Sequence, residues 1–176
     1  MSRYNKCLLV VLLTLIMLAP AALSAQNIEL SETISVTVDG VVVSANYPAT
    51  WVAEIDSSGG VFYIASSENA LETTMNGDTD FASGDIAITV ISPGALDAIG
   101  IASSANATAV LNSVIQVLAP SADAEAENVD AFGTRAAVAQ VIDEDEGIDV
   151  LLISLAFDWG TVVAGGAPRA RPPPGA

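Results

Sequence analysis

The sequence predicts an α+β fold, an antiparallel sheet with helices packed on it. Three observations predict it. Runs of β-branched residues with period-2 alternation recur along the chain, two amphipathic stretches interrupt them, and most of the strands are joined by tight turns. Tight turns pair consecutive strands antiparallel, and an apolar helical stripe needs a sheet face to cover.

Taken in order, Ile34, Val36 and Val38 alternate with Ser35, Thr37 and Asp39. Asp39-Gly40 then leads into Val41 to Ala45, and Asp-Gly between two such runs is a hairpin signal, because Gly tolerates the positive φ of a tight turn. Tyr47-Pro48 ends that pairing, since Pro donates no ladder hydrogen bond. Trp51 to Asp56 and Val61 to Ala65 read as the next strands, turned by Ser57-Ser58-Gly59-Gly60. Ser66-Ser67-Glu68 opens a short helix with hydroxyl caps and an acid in its first turn, placing Leu71 and Met75 on one face. Asn76 to Gly84 reads as an acidic loop, Ile86 to Ile91 as a strand, and Pro93-Gly94 as a break. A second helix runs from about Asn106 to Leu118, with Val110, Val114, Val117 and Leu118 flanked by Leu111 and Ile115, and Pro120 ends it. Arg135 to Ile142 and Ile148 to Phe157 flank an acidic hairpin loop, and Thr161 to Ala164 follows the Asp158-Trp159-Gly160 turn.

The two ends differ from this body. Arg3 and Lys6 precede an apolar stretch from Cys7 to Ala19, Pro20 breaks it, and Ala21 to Ala25 are small residues apart from Leu23. That layout is a secretory signal peptide over residues 1–25, cleaved after Ala25. This 13-residue apolar stretch falls short of the roughly 20 residues that span a membrane, so no membrane span is expected after cleavage. The single domain then covers residues 26–164, and the protein is expected to be secreted or periplasmic. Residues 165–176 hold four Pro, three Gly and two Arg without one acid, a composition for neither helix nor central strand. It fits either a disordered tail or an out-of-frame end.

Charge and missing residue types exclude much chemistry. The chain has 21 acidic residues, five basic ones and no His. Without His there is no Ser-His-Asp triad, imidazole base or His-ligated metal. The one Cys is Cys7, so the cleaved chain has no disulfide, thiolate nucleophile or zinc-thiolate site. All 21 acids lie beyond residue 26, with only Arg135, Arg169 and Arg171 opposing them, and such a surface repels phosphate backbones. Nucleic acid is therefore not an expected partner.

Ala45-Asn46-Tyr47-Pro48-Ala49-Thr50-Trp51 resembles the Tyr-Pro-x-x-Trp opening of PsbP-like domains. Similar too are the Gly59-Gly60 hairpin, the small-residue run Ala65-Ser66-Ser67 before a helix, and the closing Phe157-Asp158-Trp159-Gly160. The resemblance spans roughly residues 33–164. It implies a PsbP-like α/β/α sandwich, like the extrinsic subunit of photosystem II and many secreted bacterial proteins. It also implies a final helix, where this chain has its Pro-rich tail. The family has no common catalytic set to transfer, and its members act mostly as binding or assembly modules.

The remaining candidates have ordinary structural readings. Tyr47, Trp51 and Trp159 are expected to anchor the core rather than form a recognition patch. Asn76-Gly77-Asp78-Thr79-Asp80 spaces oxygen ligands as a calcium loop does, but Phe81 and Ala87 stand where an EF-hand needs Gly and Glu. An irregular calcium site from Asp78, Asp80 and Asp85 is the one metal candidate, against the preferred reading of a solvated loop. Asp143-Glu144-Asp145-Glu146 belongs at a solvated loop tip because adjacent like charges repel. Asn106-Ala107-Thr108 fits a glycosylation sequon, but capping by Asn106 is the simpler account. Arg135 either clamps an anion or, the preferred reading, pairs with a carboxylate. The expectation is an exported, non-enzymatic binding or assembly module without cofactor, its partner an unidentified protein or small ligand. A calcium-dependent extracellular protein and a carboxylate hydrolase are the alternatives.

Overall fold

The computed structural model describes residues 29–38, 41–56, 59–78, 80–131, 134–143 and 148–167. They form a strand-rich mixed fold whose strands pair antiparallel throughout. Strands β1 (Glu32–Val38) and β2 (Val41–Tyr47) pair antiparallel from Val38 opposite Val41 to Glu32 opposite Tyr47 and make a separate two-stranded sheet; Asp39-Gly40, the expected turn, lies outside the described residues. The main sheet has seven strands: β3 (Val52–Ile55), β4 (Val61–Ala65), β5 (Ile86–Ile91), β6 (Glu127–Ala131), β7 (Thr134–Asp143), β8 (Ile148–Phe157) and β9 (Gly160–Gly166). Their spatial order is β3-β4-β5-β9-β8-β7-β6, so the last strand is inserted at the centre, between β5 and β8.

Period-2 alternation sends two sets of apolar side chains to opposite faces. On one face Phe62, Ile64, Ile88, Val90, Leu155 and Val162 meet Ile34, Val36 and Val43 of the hairpin. Helices cover the other face: α1 (Glu68–Asn76), α2 (Pro93–Ala98) and α3 (Ala107–Leu118). Beneath α3 lie Ala137, Ala139, Val141, Val150 and Leu152, and the two alanines let Leu111 and Ile115 approach the sheet closely. Leu71 of α1 packs on Ala65 and Ala87, while Leu96 of α2 joins Ile91, Val110 and Val163.

Each helix starts on a side-chain cap. Ser67, Ser92 and Asn106 accept from the backbone N–H of Ala70, Ala95 and Ala109 respectively, satisfying donors that a helix start leaves open. The Asn106 amide is thus a cap, as expected.

Several elements differ from expectation. Pro93-Gly94, read as a break, begins α2, because Pro occupies the first turn where no N–H is needed. Strand β6 was not expected from Glu-Asn-Val-Asp-Ala; it is an edge strand that pairs only with β7. Strand β9 runs on to Gly166, two residues into the segment assigned to the tail. In α1 Leu71 is buried but Met75 is exposed, since the last turn overhangs the sheet. In α3 the buried stripe is Ala107, Val110, Leu111 and Ile115, and Val117 is 78% exposed.

Ser154 is the anomaly of the helix-covered face. It lies opposite Ala137 and Val163, is fully buried, and its Oγ has no hydrogen-bond partner among the described residues. A buried hydroxyl without a partner costs about 1–2 kcal/mol in lost hydration. Ser154→Ala is therefore expected to raise the melting temperature by a few degrees. A lower melting temperature would show that the hydroxyl has a partner, such as a bound water.

Candidate functional site

The hairpin covers the sheet from β3 to β5 and reaches the upper end of β8 and β9, but leaves the lower half of β7 and β8 bare. The register builds that bare region in rows. One row runs from Ile88 and Ala164, buried under the hairpin, out to Ile153, Val138 and Glu127; the next reads Ile86, Gly166, Leu151 and Gln140; the last pairs Ile142 with Asp149. Ile86, Val138, Leu151 and Ile153 are half-buried, Ile142 is 54% exposed, and none of them joins a buried core cluster. Val129 of β6, 38% exposed, borders them.

This face exists because β7 and β8 are each ten residues long while the strands under the hairpin have four to six. Both long strands alternate cleanly, so their helix-side residues are buried by α3 and their opposite residues continue past the hairpin. Among the described residues no element covers this extension. Carboxylates edge it: Glu127 stands across from Val138, and Asp149 across from Ile142, where Gln140 Nε2 donates to Asp149 Oδ1 at 3.2 Å. Such a face can bury apolar side chains of a partner and attract cationic groups to its rim. A small cavity of about 10 Å³ between the hairpin and Val90, Ile91 and Trp159 has room for about one water.

The calcium candidates separate. Asp78 N donates to Thr73 O and Asp80 O accepts from Thr73 Oγ1, which places both residues at the C-terminal end of α1. Asp85 sits at the other end of that helix, roughly 10 Å away at 1.5 Å per residue. Among the described residues no three acids converge as a metal-holding group. Asp85 Oδ1 instead accepts from the hydroxyls of Ser67 at 3.0 Å and Ser66 at 3.4 Å, and Ser67 Oγ accepts in turn from Ala70 N at 3.1 Å. Ile86 N donates to Ser66 Oγ at 2.9 Å. The carboxylate thus faces the positive end of α1. Its Oδ2 is buried and has no hydrogen-bond partner among the described residues.

Tyr47 and Trp51 pack half-buried against the hairpin-side core, and Trp159 stacks on Phe157 with ring centroids 4.8 Å apart. Arg135 lies on β7 opposite Asp130 in the backbone register. The signal segment, Cys7, residues 144–147 and the chain from Pro168 onward fall outside the described residues.

Among the described residues the titration of Tyr63 is displaced. Burial raises the Tyr63 phenol above its ordinary value of 10.0, and the charges of Asp56 and Glu54 raise it further. Ionising this phenol costs more in the folded than in the unfolded chain, so stability is unaffected while the group is neutral in both states and falls as pH climbs from 10 through the folded value. Tyr63→Phe is expected to flatten the stability curve above pH 10 and leave it unchanged at pH 7. Equal alkaline slopes for both proteins would refute this.

No family model, curated protein or solved structure matches the chain.

Proposed function

We propose that the protein is an exported, non-enzymatic binding or assembly module of PsbP-like architecture, and that the bare half of its sheet is where a partner docks. The observation that carries this reading is the face formed by Val138, Leu151, Ile153 and Ile142, apolar, contiguous and rimmed by Glu127 and Asp149. Contiguous apolar surface beyond single scattered residues costs solubility and persists where it is used. The acidic rim, within a chain of net charge −16, selects a partner that is apolar at its centre and basic around it. Two copies of this chain repel each other, which disfavours self-association through the same face. Export rests on the tripartite segment over residues 1–25.

The test is a photo-crosslinking amino acid placed at Leu151, with a second probe at Gln116 on the exposed side of α3 as control. In the cells that make the protein, the Leu151 probe is expected to form one discrete adduct and the Gln116 probe none. Ile153→Asp, which adds a charge at the centre of the face, is expected to abolish that adduct in a protein that still folds. No adduct at Leu151, or equal adducts from both probes, would refute the docking face.

A further inference from the structure

The second β layer is narrower than the sheet it covers. It consists of β1 and β2 alone, so among the described residues the outer backbone edge of each of these strands is unpaired. Neighbouring strands lie about 4.8 Å apart, and two strands therefore span a small part of the width of seven. The hairpin runs along the main strands. Val36 and Val43 meet Gly60, Val90 and Trp159 at the upper end, and the chain passes Tyr47 and enters β3 at the lower end. Of the two hairpin strands β1 packs more closely on β3, which places β2 toward the middle of the sheet, beside the bare half of β8.

The edges of the main sheet are guarded where that of β2 is not. β3 has four residues including Glu54, and β6 has five including Glu127 and Asp130; shortness and charge keep an edge from pairing with another chain. β2 is seven residues long, Val-Val-Val-Ser-Ala-Asn-Tyr, without a charge or a proline. Val38 stands opposite Val41 across two residues, which makes theirs a hydrogen-bonded pair, and the pair type alternates from there. Val42, Ser44 and Asn46 then belong to the non-hydrogen-bonded pairs, and their N–H and C=O groups point outward along the open edge. The Ser35 and Ser44 hydroxyls, 2.8 Å apart, fit the closer spacing of such a pair.

We propose that a partner protein docks by adding an extended segment to the β2 edge, as a third strand of the hairpin layer lying over Ile153, Leu151 and Val138. Strand addition rests on the bare face being the docking surface, and it supplies the mode of recognition. Backbone hydrogen bonds to Val42, Ser44 and Asn46 hold the segment at one side, and its alternate side chains bury themselves on the sheet below. Period 2 dictates its sequence: apolar at every second position, with Lys or Arg where it reaches Glu127 and Asp149. A second copy of this chain fits less well, since β2 brings no cation to that acidic rim and the two chains each carry −16.

The Leu151 photo-crosslink, formed in paired variants, tests this. Ser44→Pro removes an outward N–H from the β2 edge and Ser35→Pro removes one from the β1 edge. Proline is tolerated where the N–H faces solvent, and both variants lose the same hydroxyl contact. Ser44→Pro is expected to lower the adduct yield about tenfold, and Ser35→Pro to leave it within about twofold. Equal yields, or a larger loss from Ser35→Pro, would overturn strand addition and leave the docking face standing. No Leu151 adduct in the protein without either proline would overturn both. An adduct with the mass of two copies of this chain, or a crosslink within one copy, would overturn the partner segment. If Ser44→Pro fails to fold, amide hydrogen exchange is compared between the purified Leu151 adduct and the free protein. The Ser44 amide is expected to exchange about tenfold more slowly in the adduct and the Ser35 amide at an unchanged rate, and an unchanged rate at Ser44 would overturn strand addition.

Discussion

Phe62→Ala is expected to destabilise the protein by about 4 kcal/mol, which lowers its melting temperature by about 12 °C. Phe62 is fully buried at the junction of the two β layers, opposite Ile55 on β3 and Val90 on β5. It packs within the cluster that contains Ile34 of the hairpin as well as Ile64 and Ile88 of the sheet. Truncation removes the transfer free energy of the ring and leaves a cavity beneath the hairpin. That cavity collapses poorly, because the sheet side is fixed by ladders on both sides of β4. The hairpin is a two-stranded unit with no ladder to the main sheet, so its attachment depends on this apolar contact. Amide hydrogen exchange is therefore expected to rise first in β1 and β2, before the seven-stranded sheet opens. Uniform loss of protection across both would show that the hairpin and sheet unfold as one unit.

The residues that form this contact were legible from alternation, because period 2 fixes the face of each side chain. What alternation could not supply was strand order. Val138, Leu151 and Ile153 lie in strands that the sequence shows, but that they form a bare face depends on β9 being inserted between β5 and β8, which sets β7 and the far half of β8 apart from the strands under the hairpin. That insertion is a non-local pairing with no local signal. Strand β6 was illegible for a different reason. Its only β-branched residue is Val129, and pairing with β7 rather than its own propensity holds it in place. The acidic loop shows a third limit. Asp78, Asp80 and Asp85 are close in sequence, yet α1 separates them, since the chain runs the length of the helix and returns antiparallel to it before entering β5. Only the cap residues Ser67 and Asn106 carried their structural role openly, because capping is a contact over three residues.

Gly160→Ala is expected to cost about 3 kcal/mol, for two reasons that a control separates. Gly160 closes the two-residue loop Asp158-Trp159 and pairs with Phe157 at φ 149°, backbone that a side-chain-bearing residue adopts only with strain. A Cβ there would also lie 2.5 Å from the carbonyl oxygen of Ile91, on the neighbouring strand β5. That oxygen belongs to the backbone, so relief requires β9 to move away from β5 at the start of their shared ladder. Gly77, which ends α1 at φ 73°, supplies the control, because a Cβ there meets nothing within 4 Å. Gly77→Ala bears only the conformational cost, about 1 kcal/mol. The excess at Gly160, about 2 kcal/mol, measures the close approach of β9 to β5, the central contact on which the whole strand order rests. Equal melting-temperature losses for the two variants would mean that β9 does not lie so close to β5, and the bare face assembled from that order would fall with it.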